Sequence, residues 1–149
     1  MKALLQRVTA ASVSVDSNKV GGIGRGLVVF IGVAGGDSRK DIDYLVQKTI
    51  NLRIFSDEKD RFNLSLLDIG GELLLVSQFT LLADSRKGRR PSFTDAAPPQ
   101  EAEKLFNLFV DRAIASGLKV STGRFQQYMQ VEIHNDGPVT IMLDSREKL

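Results

Sequence analysis

Apolar residues alternate with polar ones near the start of the chain. Residues 4–8, followed by Val13 and Val15, have this period of two, which predicts two half-buried strands. Residues 27–33 (LVVFIGV) form a continuous apolar run rich in β-branched side chains, typical of a fully buried strand. Residues 71–83 (GELLLVSQFTLLA) predict a second buried strand, with polar residues in its middle.

Two segments have the spacing of an amphipathic helix instead. In the first, Ser38 and Asp41 resemble a capping box, and the apolar face that follows consists of Ile42, Leu45, Val46, Thr49 and Ile50. In the second, Pro98 and Pro99 occupy positions that a first helical turn tolerates. Its apolar face consists of Ala102, Leu105, Phe106, Phe109, Val110 and Ala113, and Gly117 is a suitable C-cap.

The C-terminal part predicts shorter strands, around residues 119–121, 129–134 and 139–143, and the segment NLRIF predicts another after the first helix. Strands with two inserted helices favour an α+β fold with a mainly antiparallel sheet. The length of 149 residues is enough for a sizeable core, so a single domain over residues 1–149 is expected.

The segment HNDGPVT (134–140) separates the last two predicted strands. Asp-Gly suits a two-residue hairpin turn, but Pro138 removes a backbone donor where the next strand should begin. X-Pro bonds are also the ones that adopt the cis form readily. The segment is therefore either a hairpin turn with an unfavourable neighbour or a Gly-Pro peptide with a role of its own.

Composition narrows the class of protein. Hydrophobic residues make up 42% and charged residues 26%, as in ordinary soluble proteins. The absence of cysteine excludes disulfides and thiolate chemistry and fits a reducing cytoplasm, the location we expect. No apolar segment has the length of a secretory signal or a membrane span, so no membrane partner is expected. With one histidine and scattered carboxylates, no metal and no cofactor is predicted.

The net charge is only +2, but basic residues are concentrated in DSRKGRRPSF (84–93), which contains Arg86, Lys87, Arg89 and Arg90. This segment is either a solvated loop or a loop that contacts phosphates. The G-x-G spacing in GGIGRG (21–26) is a weak indication of phosphate binding, because a strand pattern and not a helix follows it.

The polar residues of SQFT (77–80) interrupt an apolar strand. Burying an unpaired hydroxyl or amide costs about 1–3 kcal/mol, so their presence needs a reason. They mark either a strand end, where they bond backbone groups, or the rim of a pocket. A hydroxyl nucleophile needs a neighbouring base, and the single histidine, His134, lies in no G-x-S-x-G context. An enzyme with this sequence would therefore act by positioning and backbone electrostatics on an activated substrate such as an ester.

Five segments, spread over essentially the whole chain, together resemble the D-aminoacyl-tRNA deacylases: MKALLQRVTAASV, NLRIF, LLVSQFTLLAD, KGRRPSF and NDGPVT. The pair S-Q-F-T and N-x-G-P-V-T, in that order, is a specific feature. The resemblance implies a barrel-like curled sheet and a homodimer with active sites at the subunit interface. It also implies hydrolysis of the ester between a D-amino acid and the 3′ end of tRNA, with aminoacyl-tRNA as the nucleic-acid partner. Glycyl-tRNA mischarged on tRNA(Ala) is expected as a further substrate.

The resemblance also implies roles for individual residues. Ser77, Gln78, Phe79 and Thr80 form the catalytic wall, where the N–H groups of Phe79 and Thr80 polarise the ester carbonyl; Thr80 either lines the site or is a nucleophile. Gly137 and Pro138, joined by a cis peptide, reach from one subunit into the other's site, where their carbonyls hold the substrate's amino group and an L side chain collides.

Two further groups of residues carry over with a less definite role. Phe125 and Met129 match positions near the terminal adenosine, although core packing explains them equally well. The basic residues Arg86, Lys87, Arg89 and Arg90 become candidates for contact with the tRNA backbone.

The chain departs from the family pattern G-x-F-G-A-x-M-x-V in the segment GRFQQYMQV (123–131). Gln126 and Gln127 replace a small Gly-Ala pair, which narrows the adenosine pocket or changes the tolerance for glycyl substrates. One alternative function is a non-catalytic tRNA-binding module related to synthetase editing domains. Another is a dimeric structural protein. The intact SQFT and NDGPVT segments favour the enzyme.

Overall fold

One curled sheet carries the architecture of the computed structural model, which describes residues 1–147. Its strands are β1 (Lys2–Val15), β2 (Asn18–Ile23), β3 (Gly26–Gly32), β6 (Glu72–Ser77), β7 (Lys119–Thr122) and β8 (Gln130–Asp144). Strands β4 (Phe55–Ser56) and β5 (Phe62–Leu64) form a separate small hairpin. The helices are α1 (Arg39–Asn51), α2 (Leu66–Ile69) and α3 (Pro99–Ala115), with a 3₁₀ helix at Phe79–Leu82. In residues 1–147 no helix combines the length and apolar character needed to cross a membrane.

The long strand β1 organises the sheet. Its first half pairs antiparallel with β3, its second half pairs antiparallel with β2, and β8 pairs with both halves. Strand β6 is parallel to β3 and β7 is parallel to β6. The Ser121 hydroxyl of β7 donates to the Gly22 carbonyl of β2 at 3.0 Å, so the two ends of the sheet nearly close into a barrel.

The expected α+β class and barrel-like curvature are confirmed, but the sheet is mixed and not mainly antiparallel. The two parallel pairs arise because α1 and α3 serve as crossover connections, which parallel neighbours require. The structure also contains a third helix, α2, that the sequence did not predict. Its four residues are too few for helical periodicity, although Ser65 and Asp68 form a capping box and Gly70 ends it in the left-handed conformation.

Several strand boundaries also differ from the predictions. Residues 2–15 form one strand and not two, and β2 includes the first three residues of the GGIGRG segment. The buried strand predicted over residues 71–83 ends at Ser77, where the 3₁₀ helix begins. In each case the boundary is set by pairing with a neighbouring strand. Local patterning carries no information about that pairing.

The two long helices are confirmed; the C-cap of α3 is Ser116, and the predicted cap Gly117 follows it with φ +88°. The Ser38 N–H donates to the Asp41 carboxylate at 2.8 Å, and Pro99 begins α3. Leu45, Phe106 and Phe109 pack against one face of the sheet in the main core. A second cluster, which includes Val13, Val28, Leu74 and Val76, fills the opposite side, within the curl of the sheet.

The HNDGPVT segment is not a hairpin, because β8 runs through it without reversing direction. Asn135 is paired with Val8 and Thr140 with Gln6, so the residues between them bulge out of the ladder. We call residues 135–140 the Gly-Pro bulge. Within it Gly137 has φ +120° and the Gly137–Pro138 peptide is cis. The Asn135 amide donates to the carbonyls of Arg7 (3.0 Å) and Val139 (3.1 Å), which fixes the base of the bulge.

A buried ion pair joins the first and last strands to the loop that precedes α1. The α-ammonium of Met1 lies 2.8 Å from the Asp37 carboxylate and donates to the Ser145 hydroxyl at 2.9 Å. Asp37 also accepts the Ala34 N–H at 2.7 Å. A buried carboxylate is tolerated because charged and backbone donors surround it.

Candidate active site beyond the strand ends

A cavity of about 780 Å³ opens beyond the carboxyl ends of β3 and β6. Its volume lies within the range of small-molecule sites. Most of its lining comes from three parts of the chain, and Val33, Phe93, Ala96, Ala97 and Val131 complete it. The three parts are the end of β6 with the first 3₁₀ residue (Val76, Ser77, Gln78, Phe79), the start of α3 (Pro98, Pro99, Ala102) and the β7–β8 connection (residues 125–129).

The polar residues of SQFT lie at a strand end that is also the cavity wall. The Gln78 N–H donates to the Ile31 carbonyl of β3 at 2.8 Å, which makes it the last sheet bond before the 3₁₀ helix. Ser77 and Gln78 are half-buried, while Phe79 and Thr80 are exposed. Both interpretations of the sequence therefore describe the same place. The polar residues end the strand and form the rim of a pocket.

The start of the 3₁₀ helix presents backbone donors. A helix leaves its first N–H groups without intrahelical partners, and here those groups belong to Phe79 and Thr80. The Thr80 hydroxyl accepts a hydrogen bond from the Gln78 side-chain amide. Ser77, Gln78 and Phe79 line the cavity, whereas Thr80 follows just outside the lining. The Phe79 ring packs edge-on against Phe93 at 5.0 Å and forms an aromatic rim.

Phe125 and Met129 pack in the cores and also line the cavity. Phe125 lies 6.4 Å from the ring of Phe106 in the core, and Met129 packs against the second cluster, yet both line the cavity. A Cβ atom at Gly123 would lie 2.6 Å from the Met129 sulfur, so a larger residue there would displace the Met129 side chain. These two residues anchor the ends of a short loop.

The loop between those anchors carries the departure from the family pattern. Gln126 adopts a left-handed backbone conformation (φ +59°), which glycine enters without steric penalty. Gln126, Gln127 and Tyr128 all line the cavity and are exposed. Sequence reasoning missed Tyr128, whose side chain is 94% exposed. An aromatic residue between two polar glutamines and an anchoring methionine could have drawn attention to it.

Gly137 and Pro138 are not brought to this cavity within the described chain. Val131, which lines the cavity, pairs with Val13 of β1, whereas the Gly-Pro bulge lies opposite Arg7. At ~3.3 Å per residue, the six residue steps between these positions on β1 amount to about 20 Å. Both residues are exposed to solvent.

Arg7 is a second residue that sequence reasoning missed. Its guanidinium is buried and donates to the carbonyls of Asp136 (3.2 Å) and Ile54 (2.9 Å). It also forms an ion pair with the Asp136 carboxylate at 3.2 Å and lies 5.4 Å from the centre of the Phe62 ring. One indication of a special role for Arg7 was present in the sequence, namely a charged residue within the alternating apolar pattern of β1.

The basic residues lie on a closed surface loop. Asp84 and Ser92 exchange two backbone hydrogen bonds, of 2.8 and 2.9 Å, across its base. The side chain of Arg86 donates to Asp84, and its backbone N–H does the same, so these bonds hold the pKa of Asp84 well below its usual range. Lys87, Arg89 and Arg90 are exposed and take part in none of the ion pairs found within residues 1–147.

Other candidate chemistry is arranged differently. His134 of β8 pairs with Ala10 of β1, is exposed, and does not line the cavity. Over residues 1–147, no group of three or more histidine, aspartate and glutamate side chains is arranged to hold a metal ion. The polar groups offered by the cavity wall are hydroxyls, amides and backbone N–H groups.

A nearly closed mixed sheet with two long helices on one face and a ligand-sized cavity at its mouth defines a class of small α+β proteins. Within this class, the family model of D-Tyr-tRNA(Tyr) deacylase matches residues 4–144. A D-aminoacyl-tRNA deacylase of Dehalococcoides mccartyi (strain ATCC BAA-2266 / KCTC 15142 / 195) is 59% identical over 149 residues, 100% of this chain and 97% of the relative. One from Clostridioides difficile (strain 630) is 55% identical, with 97% of each chain covered.

Two solved structures share the fold. One, described as a c-Myc DNA Unwinding Element Binding Protein, has a TM-score of 0.91 and 42% identity and covers 97% of this chain and 98% of its own. Another, described as a probable eukaryotic D-amino acid tRNA deacylase, has a TM-score of 0.81 at 20% identity over 95% and 97%. The chain belongs to the D-Tyr-tRNA(Tyr) deacylase family, as the sequence motifs predicted, and it is a hydrolase of the deacylase class.

Proposed function

We propose that this chain hydrolyses the ester that joins a D-amino acid to the 3′ end of tRNA. Water adds to the ester carbonyl, the bond to the ribose oxygen breaks, and the free D-amino acid and tRNA leave. Family membership supports the reaction. The observation that carries it is the position of Ser77, Gln78 and Phe79 in the wall of a ligand-sized cavity.

The catalytic groups proposed are mainly those of the backbone. The N–H groups of Phe79 and Thr80 stabilise the negative charge that develops on the carbonyl oxygen, in the manner of an oxyanion hole. Ser77 and Gln78 orient the ester beside them. The Thr80 hydroxyl accepts from Gln78, and the exposed His134 lies outside the cavity lining, so Thr80 is proposed to contribute its backbone N–H at the edge of the site and not to act as the nucleophile. The 2′-hydroxyl of the terminal ribose helps to activate the water.

The proposal includes a homodimer, because the Gly-Pro bulge lies about 20 Å from the cavity of its own chain. A second copy brings the bulge to the site. The face of the sheet that lies opposite the helices supports such docking. There Phe30, Leu4 and Met142 are cross-strand neighbours on β3, β1 and β8, and Met142 is 48% exposed.

In the dimer, the carbonyls of Gly137 and Pro138 accept hydrogen bonds from the amino group of the substrate. The side chain of an L-amino acid would then point into the same backbone and be excluded, so the enzyme spares correctly charged tRNA. Glycyl esters lack a side chain and escape this exclusion, which makes glycyl-tRNA mischarged on tRNA(Ala) a second substrate.

The tRNA itself is held outside the catalytic groups. Phe125 and Met129 contact the terminal adenosine in the cavity, and the loop with Arg86, Lys87, Arg89 and Arg90 contacts the phosphate backbone. The reaction as proposed uses no cofactor, involves no membrane, and takes place in the cytoplasm on a single domain of residues 1–149.

The test compares hydrolysis of D-tyrosyl-tRNA and L-tyrosyl-tRNA at the same enzyme concentration without added metal. Rapid loss of the D-ester alone is expected. Glycyl-tRNA(Ala) serves as a third substrate and is expected to be hydrolysed as well. If neither tyrosyl ester is lost while the folded protein still binds tRNA, the chain is a non-catalytic tRNA-binding module and the proposal is wrong.

A further inference from the structure

The loop of residues 123–129 presents one almost fully exposed aromatic ring at the mouth of the cavity. Phe125 and Met129 tie its ends to the two cores, and the Gln127 N–H donates to the Arg124 carbonyl at 3.3 Å in a tight turn. Between these anchors, Tyr128 is 94% exposed. Because Tyr128 also lines the cavity, its ring stands where a ligand that extends out of the cavity mouth would contact it.

We infer that Tyr128 stacks on the nucleobase that precedes the terminal adenosine, and so determines affinity for a single-stranded CCA end. This inference rests on the proposed function. The cavity takes the ester and the adenosine, and its volume of about 780 Å³ is that of a small-molecule site. The next nucleotide of the strand therefore meets the rim, where Tyr128 lies.

The chemistry of the loop fits an unpaired nucleotide. Proteins bind single-stranded RNA by stacking bases on aromatic rings beside cationic side chains. Arg124, exposed in the same loop, supplies a charge for the phosphate between the last two nucleotides. The left-handed backbone at Gln126 makes the turn sharp enough to hold both residues outside the core.

The kinetic test uses two substrates: a D-tyrosyl-tRNA and a D-tyrosyl ester of adenosine, which lacks the preceding nucleotide. The variants are Tyr128→Ala, Tyr128→Phe and Tyr128→Leu. For Tyr128→Ala we expect about a tenfold higher KM with the tRNA, at similar kcat, and a much smaller change with the adenosine ester. Tyr128→Phe keeps the ring and should behave like the wild type, while Tyr128→Leu falls between.

The inference is overturned if Tyr128→Ala raises KM equally for both substrates. It is also overturned if the substitution changes the oligomeric state of the protein without a selective effect on the tRNA substrate. If the unaltered enzyme hydrolyses neither substrate, that result contradicts the proposed function and not this inference. The inference then still has its own binding test, described next.

Tyrosine fluorescence gives that binding test, because the chain has two tyrosines and no tryptophan. In a Tyr44→Phe variant Tyr128 is the one remaining tyrosine. The trinucleotide CpCpA should quench its fluorescence, whereas adenosine alone should not. A Tyr128→Phe variant, which reports only Tyr44, is the matched control and should show no quenching. Absence of quenching in Tyr44→Phe at saturating trinucleotide overturns the inference.

Discussion

The strand end at Ser77–Thr80 and the Gly-Pro bulge are both short polar segments, but the chain fixes them in different ways. Residues 73–76, which precede Ser77, are all buried, and the Gln78 N–H makes the last sheet bond to Ile31. The bulge is exposed and is held at its base by the side chains of Arg7 and Asn135. The first segment is therefore positioned by the sheet itself, and the second by individual side-chain bonds.

This difference separates two halves of one proposed site. The strand end lies in the cavity of its own chain. The bulge lies about 20 Å away along the sheet, where it is exposed to a neighbouring molecule. We expect activity to fall when a backbone donor is removed from the strand end. We also expect it to fall when the side chains that hold the bulge are altered. The predictions below break or sharpen that division.

The largest effect is expected from Phe79→Pro, which removes one backbone N–H at the first position of the 3₁₀ helix, where proline is tolerated. If this N–H stabilises the carbonyl oxygen, kcat for D-tyrosyl-tRNA should fall by about 10²–10³. Phe79→Ala keeps the N–H and is the matched control, with a loss below about tenfold. Equal kinetics for the two variants would contradict a catalytic role for the backbone donor.

A second large effect is expected from Gly137→Ala in the bulge. The new methyl group would lie 2.9 Å from the Val139 side chain and 3.1 Å from the Arg7 guanidinium, at a backbone φ of +120°. The displaced bulge should lower kcat/KM for D-tyrosyl-tRNA by about 10². Gly24→Ala, whose methyl group meets nothing within 4 Å, is the control and should be silent.

Mixing these two variants tests whether the halves belong to different subunits. In a homodimer with shared sites, a Phe79→Pro chain and a Gly137→Ala chain together form one intact site and one doubly altered site. After subunit exchange, an equal mixture should recover about a quarter of wild-type activity. If each site belongs to one chain, both sites of the mixed dimer stay defective and activity does not return.

Much of the fold follows from local patterning, and what was missed depends on distant partners. The helices α1 and α3 have long apolar faces and clear caps, so their periodicity predicts them. The parallel pairing of β3, β6 and β7 and the unbroken course of β8 depend on which strand lies alongside. No local spacing contains that information.

The candidate site divides in the same way. The polar interruption of an apolar strand located the cavity wall at Ser77–Phe79. By contrast, two separate strands were predicted on either side of the bulge, and the hairpin alternative is wrong, because Asp-Gly is a strong local turn pattern but β8 is continuous. The break in the β1 ladder around Arg7, which accommodates the bulge, lies about 130 residues earlier in the chain. Tyr128 was missed because exposure is a property of the folded loop.

The smallest effect is expected from Arg7→Lys, which keeps the charge but loses the planar fork. The guanidinium bonds two backbone carbonyls, those of Asp136 and Ile54, and one ammonium on a shorter stem cannot reproduce both bonds. We expect a loss of about 1–2 kcal/mol in the free energy of unfolding. We expect kcat/KM for D-tyrosyl-tRNA to fall by about tenfold, because the bulge is less well placed. Urea denaturation and steady-state kinetics measure the two quantities.

Arg61→Lys is the matched control for that variant, since Arg61 is 66% exposed and pairs with Asp57 on the surface at 3.6 Å. Its effect on both quantities should be negligible, because exposed ion pairs contribute little. Arg7→Lys should also leave the strand end unchanged, so combining it with Phe79→Pro should give additive losses in transition-state free energy. Non-additivity would mean that the bulge and the strand end depend on each other where they meet at the substrate, and the independent positioning of a sheet-borne half and a side-chain-held half would be wrong.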